Sequence, residues 1–314
     1  MNQKILSIVI TTYNSEKTVE RLLNSFDVTD NDVELLIVDD CSTDNTIQKI
    51  PDNIKVYRLK EHNGNPGLLR NAGTDLATGT WIWHLDSDDY LCKKNLTDLI
   101  ETLKKSKADI LHISHMYVER DGKKHKVSQH YQKTDTPILD NLVKRLILPG
   151  TYSFICKKAV FKAFPQSEGI LEDYEFMIRL VNSQFVFQSY DDVLYVYCPT
   201  PTGMHNYNKS IKNSTKDILK LLKTIQAEVK NPLEREPLLL NVCRGTVGVE
   251  IAPHFFNNYE QSLKQCDELP YSPDVNLLLK ILYNTLFNVT KEELQQMLAQ
   301  RDRPPLGELG EEDS

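Results

Sequence analysis

The sequence predicts an α/β fold in which a mostly parallel sheet is flanked by helices. Three observations carry that reading. Short, nearly continuous apolar runs recur through the first half, as expected of strands covered on both faces. They alternate with segments whose apolar residues fall at helical spacing. Polar or acidic clusters follow the runs directly, where α/β sheets place their ligands, at the carboxyl ends of the strands.

Residues 5–11 form the first strand. Asn14 and Ser15 can cap a following helix in which Val19, Leu22, Leu23 and Phe26 share a face. Residues 33–38 form a second strand closed by Asp39-Asp40, with Ser42, Thr43 and Asp44 as caps for a second helix. Residues 54–59 read as a third strand, 63–67 as a Gly/Pro/Asn loop, 68–76 as a helix and 81–85 as a fourth strand. Farther on, 109–118 reads as a strand entering a hairpin turn at Arg120-Asp121-Gly122-Lys123. Residues 125–150 are polar with a short helix, 151–156 a strand, 171–181 a helix and 192–197 a strand. Glu175 and Arg179 are spaced as a surface pair on that last helix. Helical periodicity at 218–225 and 275–287, and a capping box at Thr290 and Glu293, mark a helical appendage. The expected organisation is an α/β domain over 1–210 in two halves (about 1–100 and 101–210), an appendage over 211–300 and a flexible acidic tail over 301–314.

The chain has 314 residues, is 40% hydrophobic and 26% charged, and carries a formal charge of −7. That balance is the one of an ordinary globular protein and argues against general nucleic-acid binding, which needs a basic surface. The six cysteines, Cys41, Cys92, Cys156, Cys198, Cys243 and Cys266, show no metal-ligand or redox spacing, so a reduced cytoplasmic setting is expected. The first residues lack a leader-like core, and no stretch approaches the ~18 apolar residues of a membrane span. Peripheral association with a membrane face and oligomerisation through the appendage stay open.

Asp86-Ser87-Asp88-Asp89 places three carboxylates in four residues at a strand end. Such crowding is unfavourable unless a cation joins it, and hard divalent ions are often held by one or two carboxylates plus substrate phosphates. Residues two apart on extended chain point the same way, so Asp86 and Asp88 can face one ligand. Asp39-Asp40 suits a ribose hydroxyl or base N–H, and Thr11-Thr12-Tyr13-Asn14 offers an aromatic ring and polar edges to a nucleobase. Arg70, followed by Asn71 and Gly73, can contact a diphosphate. His112 and His115 lie three apart in a strand-like run and so on opposite faces, which argues against zinc. Trp81 and Trp83 read as core packing.

Residues 7–14 (SIVITTYN), 37–46 (IVDDCSTDNT), 70–73 (RNAG) and 85–89 (LDSDD) together resemble family 2 glycosyltransferases. The resemblance is close over about 5–100 and looser over 100–205. It implies the GT-A fold, a nucleoside-diphosphate-sugar donor (uridine by resemblance alone), and a hydroxyl acceptor on a glycan, glycolipid or polysaccharide precursor. It also implies inversion at the anomeric carbon. Thr11, Tyr13, Asn14, Asp39, Asp40, Arg70, Asp86 and Ser87 would line the nucleotide site, with Asp88 holding manganese or magnesium. Asp173, in the Glu172-Asp173 pair, matches the position of the family's catalytic base. His205 matches a histidine that touches metal or diphosphate. Cys198-Pro199 departs from the family pattern, where a basic residue often stands. The Gln-x-x-Arg-Trp motif of processive synthases is absent after Asp173, which favours single additions.

Nucleotidyltransferases and nicotinamide oxidoreductases need a glycine-rich turn after the first strand, which Thr11-Thr12-Tyr13-Asn14 does not provide. An inactive sugar-nucleotide-binding scaffold, and transfer to a lipid phosphate, remain as alternatives.

Overall fold

The structure, a computed structural model, describes residues 4–26, 31–91, 96–120, 123–128, 150–168, 172–198, 220–221, 223–231, 235 and 238. Residues 6–59 build β1 (Leu6–Thr12), α1 (Val19–Asn24), β2 (Val33–Asp39), one 3₁₀ turn (Ile47–Lys49) and β3 (Lys55–Arg58). Then come α2 (Pro66–Leu76), β4 (Trp81–Asp86), β5 (Tyr90–Leu91) and α3 (Thr97–Lys105). The second half adds β6 (Ile110–Arg120), β7 (Lys123–Ser128), β8 (Phe154–Lys157), α4 (Lys158–Ala163), α5 (Glu172–Leu180) and β9 (Phe187–Tyr197).

The strands join in one sheet of order β3-β2-β1-β4-β8-β6-β9-β5, with β7 paired to β6. The half β3-β2-β1-β4 is parallel throughout, β8 pairs antiparallel with β4 and β6, and β6 and β9 run parallel. All seven β1 residues are buried, so its apolar run follows from cover on both faces. Trp81 and Trp83 are core residues, as their strand position suggests, and Trp83 also donates to the Tyr152 carbonyl at 2.8 Å. Register does the functional work. Thr11 lies between Val38 on one side and Asp86 on the other, and Thr12 lies beside Asp39, so the three polar clusters meet at one sheet edge.

Helix α2 starts earlier than its periodicity suggests. Asn65 caps it by accepting from the Leu68 N–H at 3.2 Å, and Pro66 takes the first position, where no N–H is needed. Gly67 and Gly73 weaken a helix by about 1 kcal/mol each relative to alanine, but both sit where a side chain cannot. A Cβ on Gly73 would overlap the Val9 side chain and lie 3.0 Å from Val38, and one on Gly67 would overlap the Ser167 carbonyl oxygen.

Two capping expectations fail for one reason: the polar side chains bond between loops instead. No helix follows Ser42, Thr43 and Asp44, only the 3₁₀ turn, because Asp44 accepts from Thr46 and from the Glu16 N–H. Helix α1 begins at Val19 after Thr18, with no side-chain cap. Asn14 instead adopts φ 47° and accepts from the Thr43 N–H at 2.9 Å. Glu175 and Arg179 do not pair either. Glu175 is buried and bonds Ser167 and Lys220, while Arg179 donates to the Pro165 carbonyl. Residues 125–128, expected in an irregular polar stretch, belong to β7. Residues 220–221, 223–228, 235 and 238 are helical and 229–231 are not; the rest of the expected appendage, the acidic tail and His205 lie outside the described residues.

Candidate active site

The site is built from the carboxyl ends of β1, β2 and β4, the start of α2 and the start of α5. Asp39 is fully buried and saturated. It accepts from Thr12 Oγ1 at 2.9 Å, Ser42 N at 3.0 Å and Ser42 Oγ at 2.5 Å, and pairs with Arg58 Nε at 3.3 Å. Such a carboxylate fastens the ends of β1 and β2 to the loop that follows β2. Asp40 faces the other loop, accepting from the Asn63 and Gly64 N–H groups at 2.8 Å each and meeting His62 Nδ1 at 2.9 Å. Tyr13 stands at the rim, 45% exposed.

The acidic turn is strapped to the β1 side. Ser15 and Ser87 hydroxyls lie 2.6 Å apart, so Ser87 is a fastening between loops. Arg21, over the Tyr90 ring at 5.1 Å, donates to the Asp88 carbonyl. Asp86 accepts from Arg70 Nη2 at 2.8 Å and lies 3.4 Å from Thr11 Oγ1. Asp89 is buried and accepts from the Cys198 N–H at 2.7 Å, which ties the turn to the end of β9. Burial first, then Asp88 and Asp86, hold the Asp89 carboxyl well above the usual carboxylate range.

Arg70 is the centre of the site. Its side chain is 5% exposed, with Nη2 on Asp86 and Nη1 2.8 Å from Glu172, 3.2 Å from Gln166 Oε1 and 3.6 Å from Asp173. Burial works against its charge, but Asp86, Asp173 and Glu172 outweigh that and raise its pKa. The guanidinium is committed to carboxylates and bridges the acidic turn to the Glu172-Asp173 pair. Burial and the neighbouring Asp173 push the Glu172 carboxyl up to about 7, against the pull of Arg70. Behind Arg70, Gln166 reaches His84 at 3.4 Å, and His84 meets Thr74 at 3.0 Å. Burial and the Arg70 charge keep that histidine neutral. Asn71 clamps the same segment by exchanging two hydrogen bonds with the Gln166 backbone, at 2.7 and 2.8 Å.

Among the described residues no cluster of three or more His, Cys, Asp or Glu side chains can hold a metal ion alone. An ion here would complete an oxygen shell with a ligand's phosphates, which is how hard divalent ions bind in many nucleotide sites. The turn fits that demand. Asp86 and Asp88 are both partly exposed and two residues apart.

A family model, Glycosyl transferase family 2, matches residues 7–165, half of the 314-residue chain. The chain belongs to glycosyl transferase family 2. Its match covers every strand-end cluster described above except the Glu172-Asp173 pair, which follows it by a few residues. The chain is 30% identical over 237 residues to the poly(ribitol-phosphate) beta-N-acetylglucosaminyltransferase TarS of Staphylococcus aureus, a match covering 72% of this chain. The chain spans only 40% of the length of that relative. The crystal structure of S. aureus TarS 1–349 in complex with UDP-GlcNAc is similar at TM-score 0.62 and 22% identity, over 94% of this chain and 91% of that one. Mannosyltransferase PcManGT from Pyrobaculum calidifontis, in complex with GDP-Man and Mn2+, is similar at TM-score 0.54 and 15% identity, over 95% and 86%. These two likenesses establish the GT-A fold expected from the strand-end motifs.

The structure thus brings Thr11, Tyr13, Asn14, Asp39, Asp40, Arg70, Asp86, Ser87, Asp88 and Asp173 to one end of the sheet. Sequence reasoning missed Glu172 as a partner of Arg70, and it missed Gln166, His84 and His62. No periodicity marks them, because each earns its place through a contact across the fold.

Proposed function

We propose that the chain is a metal-dependent, inverting glycosyltransferase moving one sugar from a nucleoside-diphosphate-sugar, a UDP-sugar by similarity, to a hydroxyl. The acceptor class is a glycan, glycolipid or cell-surface polymer precursor, in keeping with the poly(ribitol-phosphate) named for the S. aureus relative. The observation that carries the proposal is the Arg70 bridge, which joins the acidic turn, through Asp86, to the Glu172-Asp173 pair.

In this mechanism Tyr13 and the Asp40 side of the pocket hold the nucleoside, and Asp88 carries a manganese or magnesium ion. That ion supplies positive charge where the diphosphate departs, so no protein acid is needed there. Asp173 accepts the acceptor's hydroxyl proton as the oxygen attacks the anomeric carbon and the bond to the diphosphate breaks. Arg70 holds Asp173 and Asp86 in fixed relation and does not itself meet the substrate. Residues 1–210 form the catalytic domain in this reading, with 211–300 as a helical appendage. No helix among the described residues is long and apolar enough to cross a membrane, which accords with a cytoplasmic enzyme reaching its acceptor at the membrane face.

Two variants test the reading against a panel of nucleotide sugars with added Mn2+ or Mg2+. Asp88→Ala is expected to abolish metal-stimulated donor turnover. Asp173→Asn is expected to lower kcat by roughly 10²–10⁴-fold, the usual contribution of a general base, while leaving donor binding intact. Unimpaired transfer by the Asp173 variant would refute the base assignment and point to a phosphate acceptor, which needs no base.

A further inference from the structure

Behind the Arg70 bridge, hydrogen bonds pass along a row of buried side chains in a direction that their chemistry fixes. Arg70, Gln166, His84 and Thr74 are each at most 4% exposed. Arg70 Nη1 lies 3.2 Å from Gln166 Oε1, and a guanidinium can only donate, so the amide presents its oxygen to Arg70. Its nitrogen is thereby turned to His84 Nδ1, at 3.4 Å. An amide nitrogen only donates, so Nδ1 accepts and carries no proton. The ring proton therefore sits on Nε2, 3.0 Å from the Thr74 hydroxyl.

The row closes on itself, because Thr74 stands one turn beyond Arg70 on α2. His84 belongs to β4, and Gln166 to the segment after α4, whose backbone Asn71 holds at 2.7 and 2.8 Å. With that main chain clamped, the Gln166 side chain has only its own torsions left free, and His84 fixes them by taking the amide N–H. Phe161 backs the imidazole, with ring centroids 4.4 Å apart. An apolar side chain would fill this place on β4 with no polar atom to satisfy, whereas a buried imidazole has to be hydrogen-bonded.

We propose that His84 is a positioning residue for transfer: its bare Nδ1 holds the Gln166 amide with the oxygen toward Arg70, and so keeps the guanidinium set between Asp86 and the Glu172-Asp173 pair. This rests on the reading of Asp173 as the base. Without an acceptor at the Nδ1 position, the amide N–H groups are buried with no partner there, which is costly, and the amide turns to regain one. The turn withdraws the oxygen from Arg70 Nη1, the nitrogen that reaches Glu172 at 2.8 Å and Asp173 at 3.6 Å. His84 itself touches neither carboxylate pair nor substrate in this scheme and acts through Gln166 alone.

Two substitutions divide the ring into its halves. The side-chain oxygen of asparagine falls where Nδ1 stands and accepts; the amide nitrogen of glutamine falls where Nε2 stands and donates. His84→Asn therefore keeps the contact to Gln166, and His84→Gln the contact to Thr74. The assay follows UDP release by the full chain from UDP-N-acetylglucosamine with Mn2+, water taking the acceptor's place. A misplacement of 1 Å can cost ~100-fold, so a partial one in His84→Gln should lower kcat by roughly tenfold or more. His84→Asn should stay within about threefold of the parent, and donor KM within about twofold in both. Urea unfolding should rank the two the other way, because glutamine fills more of the space beside Phe161. A kcat in His84→Gln equal to or above that of His84→Asn would overturn the proposal and leave a side chain that only packs. Gln166→Leu should match the loss in His84→Gln, and the double variant should be no slower than either single; losses that multiply would show His84 to act by another route. In the parent chain, 15N NMR should find the His84 proton on Nε2. A proton on Nδ1 would overturn the relay whether or not the variants fold or the probe is turned over. Asp173→Asn separates the underlying reading: parental UDP release there would sink the base assignment and leave the relay to the NMR result.

Discussion

Replacing Glu172 by glutamine should make the protein more stable at neutral and alkaline pH, although it removes a charge that touches Arg70. The buried Glu172 carboxyl is displaced from its ordinary 4.5 to about 7, burial and Asp173 prevailing over Arg70. A displacement of that size corresponds to roughly 3 kcal/mol between the ionised and protonated forms. The folded chain holds this proton more tightly than the unfolded chain. The contribution of Glu172 is therefore fully present below about pH 4.5 and is lost as pH rises through about 7. Glutamine is a lasting mimic of the protonated form. The two proteins should unfold alike near pH 4, and the Glu172→Gln variant should lead by up to roughly 3 kcal/mol by pH 8. Urea unfolding of both at matched pH measures the difference, and subtraction cancels the other titrating groups. Because Asp173 adjoins Glu172, the midpoint of the difference curve belongs to the pair. A difference independent of pH, or a variant less stable than the parent at pH 8, would refute the placement of Glu172 as a buried acid strained by its neighbour.

The Arg70 bridge and the α2 contact yield two further expectations. Arg70→Leu leaves Asp86, Asp173 and Glu172 without their shared cation and should cost about 3–5 kcal/mol in urea unfolding, the usual result of removing one partner of a buried ion pair. Adding Glu172→Leu should recover part of that loss, and a double variant no more stable than the single would show the two side chains to be uncoupled. Gly73→Ala should lower stability by about 1–3 kcal/mol, read from the melting temperature, because the new methyl has to displace Val9. An unchanged or raised melting temperature would mean that the α2–sheet contact is looser than described.

The parallel half of the fold was legible because its strands are covered on both faces and so read as unbroken apolar runs. Register then follows with little freedom, which is why Thr11, Asp39 and Asp86 could be placed at one edge from the chain alone. The misreadings share a physical cause. Residues 42–46 carry good capping side chains, but capping is a local preference, and here Asp39, Asn14 and Glu16 compete for the same polar groups across the fold. The burial of Arg70 was not legible because its partners Glu172 and Gln166 lie 102 and 96 residues away. A buried ion cluster has no periodicity, so neither Glu172 nor His84 gives a signal in one dimension. The Glu172-Asp173 pair was visible only by resemblance to a family motif.

The segment Arg70-Asn71-Ala72-Gly73 acquires a different meaning from these contacts. Gly73 lets α2 lie directly against β1 and β2. Asn71 holds the Gln166 backbone as a neighbouring strand would, and Arg70 spans from Asp86 to Glu172. Arg70 and Asn71 reach across to residues 166–172, while Gly73 works within the parallel half. None of the three contacts requires a substrate. The segment is therefore best understood as a splint that ties the acidic turn to the Glu172-Asp173 pair, which in the proposed mechanism sets the distance between departing group and base. A 1 Å error in such a distance can lower a transfer rate on the order of 100-fold. The buried cation thus matters more for the geometry it imposes than for the charge it brings.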